Sequence, residues 1–321
     1  MTSVKPTKFK FAFLIVVSIM LPLLSCMEKS VDFSPAPGTV WEIRAEGLAE
    51  CLEDVVWTGS QYIAVGWNEI LTSPNGSDWQ LRHNYYAGKL YGVFWGNETG
   101  WVVGDSVILR SENGIDWSEM VVTSNLRDVA ALGDTVVAVG DTGDVWVTYD
   151  GENWTQASAG FGCRAVSSNL AGDDPDAVYR FAAGGENFTS RGTIDGISWS
   201  GALTVVAANR WINDIILRGD VVWAVGDASR MSIRGHISSV DELTGRPLRA
   251  VAWGGNSAVV VGDIGTIIYA TVNEHYFYWY SAVVQSSPTY ARLNGVCFNG
   301  VGYLAVGHSG IVIGSPPGKD Q

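Results

Sequence analysis

Apolar residues in this chain come in short bursts of three to five, cut by Gly, Asp, Asn and Ser, and not at helical spacing. Residues 126–154 show the pattern well. Val129 and Ala131 lie in one burst and residues 136–139 form a second. Gly140-Asp141-Thr142-Gly143 is a turn signal, residues 145–147 form a third burst, and Tyr149-Asp150-Gly151 leads to Trp154. β-branched bursts between Gly/Asp clusters predict short strands joined by tight turns.

Variants of this unit recur. A strand ending in a Val-Gly-like pair closes at Gly66, Gly104, Gly140, Gly184, Gly226, Gly262 and Gly307, with spacings of 38, 36, 44, 42, 36 and 45 residues. A period of about 40 is that of a four-stranded propeller blade. Each copy follows an inner-strand segment: LEDV at Leu52, LYGV at Leu90, LRDV at Leu126, CRAV at Cys163, INDI at Ile212, LRAV at Leu248 and LNGV at Leu293. A small or acidic residue stands third, as crowding near an axis requires. Four copies continue into a Ser/Thr, an Asn/Asp-Gly turn and a Trp, ending at Trp79, Trp117, Trp154 and Trp199. The turn pair accommodates positive φ, and the Trp anchors the next strand. The fifth and sixth units depart from this pattern, one lacking the Trp and the other enlarging the turn.

The seventh unit stops after three strands, and the missing turn and Trp occur at the other end of the chain, around Gly38 and Trp41. The expectation is therefore an all-β, seven-bladed β-propeller of four-stranded blades, its ring closed by the N-terminal strand, over residues 40–318 with a tail at 319–321. Such closure leaves few exposed sheet edges.

The N-terminus reads differently. Lys5, Lys8 and Lys10 precede an apolar run at 11–24, which has signal-peptide length and is too short for a comfortable span. Leu23-Leu24-Ser25-Cys26 resembles the bacterial lipobox, although Leu24 stands where Ala or Ser is more usual. The resemblance implies a signal peptide at 1–25, lipidation of Cys26 and a tether at 26–39. Met27, not Asp, follows the cysteine, which by Gram-negative sorting rules points to the outer membrane. Removal of residues 1–25, with three Lys and no acid, takes the net charge from −13 to −16. That charge excludes generic nucleic-acid binding and a polybasic membrane patch, so the membrane link would be the lipid.

Composition adds little chemistry. Cys51, Cys163 and Cys297 form neither a zinc motif nor an even disulfide framework, and His83, His236, His275 and His308 lack metal-ligand spacing. No cofactor, metal or catalytic set is expected. The second residues of the inner strands are Glu53, Tyr91, Arg127, Arg164, Asn213, Arg249 and Asn294; Asp105, Asp141, Asp227 and Asp263 follow marker glycines. Propeller topology brings both sets to one mouth of the channel. Two readings stand there. The arginines form an anion-accepting patch with Tyr91, Asn213 and Asn294, or the acids neutralise them. Residues 83–86 and 275–280 are aromatic-rich and suit glycan stacking, a partner hot spot or packing between blades.

The Trp-ended turns resemble the Asp-box, or bacterial-neuraminidase, repeat, where they are structural. The sialidase Phe/Tyr-Arg-Ile-Pro tetrapeptide does not occur, so that activity is not implied. Through VGxxGxI, SxDGxxW and the inner-strand motif, nearly the whole chain after residue 26 resembles the seven-bladed photosystem II assembly/stability factor family, which binds membrane-protein intermediates and carries an arginine patch. The resemblance implies a non-enzymatic scaffold for an envelope protein, with Arg127, Arg164 and Arg249 in contact; a carbohydrate-binding or glycoside-cleaving propeller is the alternative. Cys26→Ser is expected to release the chain from membranes on cell fractionation, and continued membrane retention would refute lipid tethering.

Overall fold

A computed structural model describes residues 36–85, 88–172, 178–204, 209–227, 230–233, 236–239, 244–272 and 279–315. The expected signal peptide, Cys26, most of the tether, Tyr86, residues 273–278 and the tail lie outside the described residues.

The chain is an all-β propeller. Six of its sheets have four strands and one is recorded with three. Their inner strands are Leu52–Trp57, Leu90–Gly96, Asp128–Leu132, Cys163–Ser168, Ile212–Arg218, Leu248–Trp253 and Leu293–Phe298. Each inner strand lies beside the next in chain order, and Leu293–Phe298 lies beside Leu52–Trp57. In the three-stranded sheet, Thr99–Ser111 pairs with Leu90–Gly96 through residues 99–104 and with Ser118–Asn125 through residues 105–110. It turns at Ser106, φ 58°, so one run occupies the place of two strands.

The core sits between sheets, not within one. Ile63, Val65 and Ile70 of the first sheet pack with Leu90, Val93 and Val102 of the second, and such clusters recur between later neighbours. Second strands are therefore covered on both faces. Every residue of Tyr62–Gly66, Thr135–Val139, Val221–Gly226, Ser257–Gly262 and Tyr303–Gly307 is buried. This is why they read as unbroken apolar runs and not as alternation.

The marker glycine is explained by a close backbone approach. A Cβ on Gly66 would overlap the carbonyl oxygen of Cys51, on Gly104 that of Lys89, on Gly226 that of Trp211 and on Gly307 that of Arg292. The next residue then donates its N–H to the same carbonyl: Trp67 to Cys51 at 3.0 Å, Asp105 to Lys89 at 2.8 Å, Asp227 to Trp211 at 3.0 Å and His308 to Arg292 at 2.9 Å. In the fourth sheet the residue in this place is Gly185, not Gly184 as the sequence pattern suggested. Gly185 pairs with Cys163 and its Cβ would overlap the Gly162 carbonyl, whereas a Cβ on Gly184 would meet the Ile212 side chain. Two adjacent glycines hid the one-residue offset.

The Trp-ended turns are rigid by hydrogen bonding. Ser73 Oγ accepts the Gly76 N–H at 2.8 Å, Asn75 Oδ1 accepts those of Ser77 and Asp78 at 2.9 Å each, and Trp79 Nε1 donates to Gly76 O at 3.0 Å. Trp199 repeats the indole bond to Gly196 O at 3.1 Å. So does Trp41, to Gly38 O at 2.9 Å, and the strand it leads, Glu42–Ala45, pairs antiparallel with Val312–Gly314.

The close approach predicts unequal costs for two alanine substitutions. Gly307→Ala, forced against backbone, is expected to lose about 3 kcal/mol of stability. Gly300→Ala, at positive φ but in open space, should lose roughly 1 kcal/mol. Denaturant unfolding of both decides it, and equal losses would refute the account.

Candidate functional site

The same close approach builds the channel mouth. As the carbonyl and glycine meet, the ladder skips one inner-strand residue, between Leu52 and Asp54, Leu90 and Gly92, Cys163 and Ala165, Ile212 and Asp214, Leu248 and Ala250, and Leu293 and Gly295. The skipped residues are Glu53, Tyr91, Arg164, Asn213, Arg249 and Asn294. A β-bulge leaves its extra residue unpaired and re-aims its side chain. In the third sheet Arg127 stands just before the strand, its N–H donating to Val139 O at 2.7 Å.

All seven residues line one opening of about 260 Å³, joined there by Arg292. Below it lies a throat of about 90 Å³ that also reaches Asp54, Asp128 and Asp214. The structure thus brings together Tyr91, Arg127, Arg164, Asn213, Arg249 and Asn294.

The acids after the marker glycines do meet the arginines, but unevenly. Arg249 grips Asp263 through Nε at 2.8 Å and Nη2 at 3.1 Å. Asp141 is shared: Arg127 reaches Oδ2 through Nη2 at 2.6 Å and Nε at 2.7 Å, while Arg164 Nε reaches Oδ1 at 3.1 Å. The Arg127 guanidinium lies 4.0 Å from the Tyr91 ring centroid, and that of Arg164 lies 3.9 Å from the Trp211 ring. Arg164 therefore presents a stacked guanidinium whose Nη groups hold no protein partner among the described residues. Asn213 donates to Asp227 Oδ1 at 3.2 Å and Leu248 O at 2.8 Å, and Asn294 to Leu52 O at 2.8 Å, so these amides brace the rim.

The charge state follows from these neighbours. Burial opposes the charge on Arg127, but Asp141 and Tyr91 outweigh it and its pKa rises. The Asp263 hydrogen bonds raise that of Arg249. Both remain cationic. Burial, reinforced by Glu53, pushes the Cys51 thiol up to about 12; it donates to Glu53 Oε1 at 3.3 Å and is no nucleophile. Cys51, Cys163 and Cys297 are all free and buried.

Sequence reasoning missed three parts of the site. Arg292 and Trp211 each stand one residue before an inner strand, outside the second-position pattern. Arg292 Nε is buried with no hydrogen-bond partner. The throat aspartates were visible only as a third-position preference. Each bridges neighbouring inner strands: Asp54 accepts the N–H of Val55 at 2.7 Å and Val93 at 2.9 Å, Asp128 those of Val129 and Val166 at 2.8 Å each, and Asp214 those of Ile215 and Val251 at 2.7 Å each. Their sheets alternate with sheets carrying a small residue, because a Cβ on Gly92 would stand 2.9 Å from Asp128 Cα.

Of the aromatic groups, Tyr85 packs into the core between sheets and donates to Asp105 O at 2.8 Å, and His83 lies 2.9 Å from Glu119. They are packing residues. No cluster of three His, Cys, Asp or Glu suited to a metal occurs among the described residues.

An all-β propeller with a charged, arginine-lined channel mouth is the class that fold and site define. No family model matches the sequence, and no curated protein is similar to it in sequence. Solved structures share the fold. YCF48 bound to D1 peptide superposes with a TM-score of 0.66 at 15% identity, over 88% of this chain and 99% of that one. YCF48 from Cyanidioschyzon merolae gives 0.64 at 16%, over 86% and 98%. The WD40 β-propeller domain of Doa1 gives 0.67 at 12%, over 88% and 98%.

The throat carboxylates predict an unusual pH dependence. All three are half-buried, backed by neighbouring strands and facing the narrow cavity. Burial pushes Asp128 up to about 7; burial and then the Asp128 charge push Asp214 up to about 8, and burial and then Asp128 lift Asp54 well above its ordinary value. The folded state thus holds protons that an unfolded carboxylate releases near pH 4, and stability falls as pH rises through 7–8. The melting temperature is expected to drop several degrees between pH 5 and 8.5, and Asp128→Asn with Asp214→Asn should flatten that slope. An unchanged slope in the double variant would refute the assignment.

Proposed function

We propose that the protein is a non-enzymatic, lipid-anchored scaffold of the cell envelope that binds a partner protein through the channel mouth. Its seven sheets form the blades of one closed ring over residues 40–318. The pairing of Glu42–Ala45 with Val312–Gly314 and the adjacency of the first and last inner strands support that closure. Cys26 carries the lipid, and the outer membrane is the destination if the cell is Gram-negative.

One observation carries the binding role: the mouth holds cationic groups with unused donors. Arg164 offers its Nη atoms from a stacked position, and the buried Nε of Arg292 has no acceptor. A carboxylate ligand meeting the Arg164 Nη donors would make charge-assisted hydrogen bonds, the stronger class. A propeller of this fold is described bound to a peptide, which fits a protein partner.

Glycoside cleavage is disfavoured by shape. Asp54, Asp128 and Asp214 stand in a throat of about 90 Å³, below the roughly 300 Å³ of ordinary small-molecule pockets. Each is also tied to two backbone N–H groups, so none is placed for acid–base work.

The triple variant Arg127→Ala, Arg164→Ala, Arg249→Ala tests this reading in a pull-down from envelope extracts. A specific partner recovered with the wild type should be lost or reduced at least tenfold. Equal recovery with the variant, once circular dichroism shows it folded, would remove the mouth as the binding site.

A further inference from the structure

A second opening lies among the loops of the sixth sheet and the segment leading into the seventh. This groove of about 430 Å³ sets the side chains of Ile264, Val284 and Tyr290 among polar ones, Thr266, Gln285 and Ser287 included. It belongs to the same loops as the mouth. Ile264 follows Asp263, the carboxylate that grips Arg249, and Tyr290 stands two residues before Arg292. Its apolar surface is open: Ile264 is 49% exposed, Val284 42% and Tyr290 89%.

Ile264 is an unfavourable residue for its position. It sits at φ 56°, ψ 44° in the turn Asp263–Gly265. Left-handed backbone is costly for a β-branched side chain. Corresponding turns after other marker glycines use Ser106 at φ 58°, Asn187 at φ 55° and Ser309 at φ 60°. Only the sixth of these turns combines left-handed strain with an exposed aliphatic side chain. Neither feature helps folding. Strain of this kind persists where the surroundings enforce it and gathers at ligand clamps.

We propose that the groove takes a bulky apolar side chain from the same extended partner segment whose carboxylate sits on the mouth arginines. The recognised element is an Asp or Glu followed within a few residues by Phe or Leu. This rests on the partner-binding reading of the mouth and extends it to a two-point recognition. Charge complementarity sets the direction. The acid lies over Arg164, whose Nη donors are unused, and the chain passes the neutralised Arg249–Asp263 pair to Ile264 and Tyr290.

Fluorescence polarisation with the full chain tests it, using three labelled peptides: one with Glu and Phe, one with Phe replaced by Gly, and one with Glu replaced by Gln. The wild type should bind the first about tenfold more tightly than the second, the gain expected from partly burying one ring. Ile264→Gly and Tyr290→Ser should each erase most of that tenfold. Ile264→Gly should also keep or raise the melting temperature, because Gly relieves the left-handed strain. Arg164→Ala should weaken both Glu-bearing peptides. Equal affinity for the first two peptides, with Arg164 still required, would sink the groove and leave the mouth reading standing. Phe preference with no need for Glu or Arg164 would sink the mouth reading and the two-point proposal with it. No binding of any peptide would sink both.

Discussion

A backbone-on-backbone approach, repeated from sheet to sheet, underlies both the propeller and its candidate site. Where the second strand ends, a glycine lets the carbonyl before the inner strand come within van der Waals overlap of where a Cβ would stand. The following N–H then bonds that carbonyl. This contact ties the entry of each inner strand to the turn between second and third strands. It also forces the ladder to skip one residue. The skipped residue loses its cross-strand partner and faces the channel, which is why side chains as different as Glu53, Tyr91, Arg164 and Asn294 share one rim.

Beneath the rim, the inner strands meet through carboxylates. Asp54, Asp128 and Asp214 each satisfy one N–H of their own strand and one of the next. Burial raises the pKa of each, and the Asp128 charge adds to the rise at Asp54 and Asp214, so the throat carries less negative charge near neutral pH than three ordinary carboxylates would. The guanidinium groups above the throat face Asp141, Asp263 and Glu53. Asp141 serves two arginines at once. The arginines of the mouth are therefore neutralised unevenly. Arg249 is saturated, whereas Arg164 and Arg292 retain donor capacity.

Much of the fold was legible in the sequence because its determinants are local and periodic. Strand bursts, Asn/Asp-Gly turns and the recurring Trp report constraints acting within a few residues. The matching Gly-x-x-Trp at residues 38–41 carried the same signal to the far end of the chain. The fourth unit misled by one residue because Gly184 and Gly185 look identical in sequence, and only the partner across the ladder distinguishes them. The second-position residues could be named in advance, since the bulge recurs at a fixed offset from the inner-strand motif.

Alone, the sequence determined the class of fold, the repeat and which side chains gather at the mouth. It could not decide what those side chains do to one another. Pairing depends on distances between residues far apart in the chain: Arg164 on Trp211, Arg127 and Arg164 on one carboxylate, and Arg292 brought in from outside the pattern. The raised pKa values of the throat acids and the exposed strain at Ile264 were likewise settled by packing, because burial and backbone dihedrals are properties of the folded chain and not of any one segment.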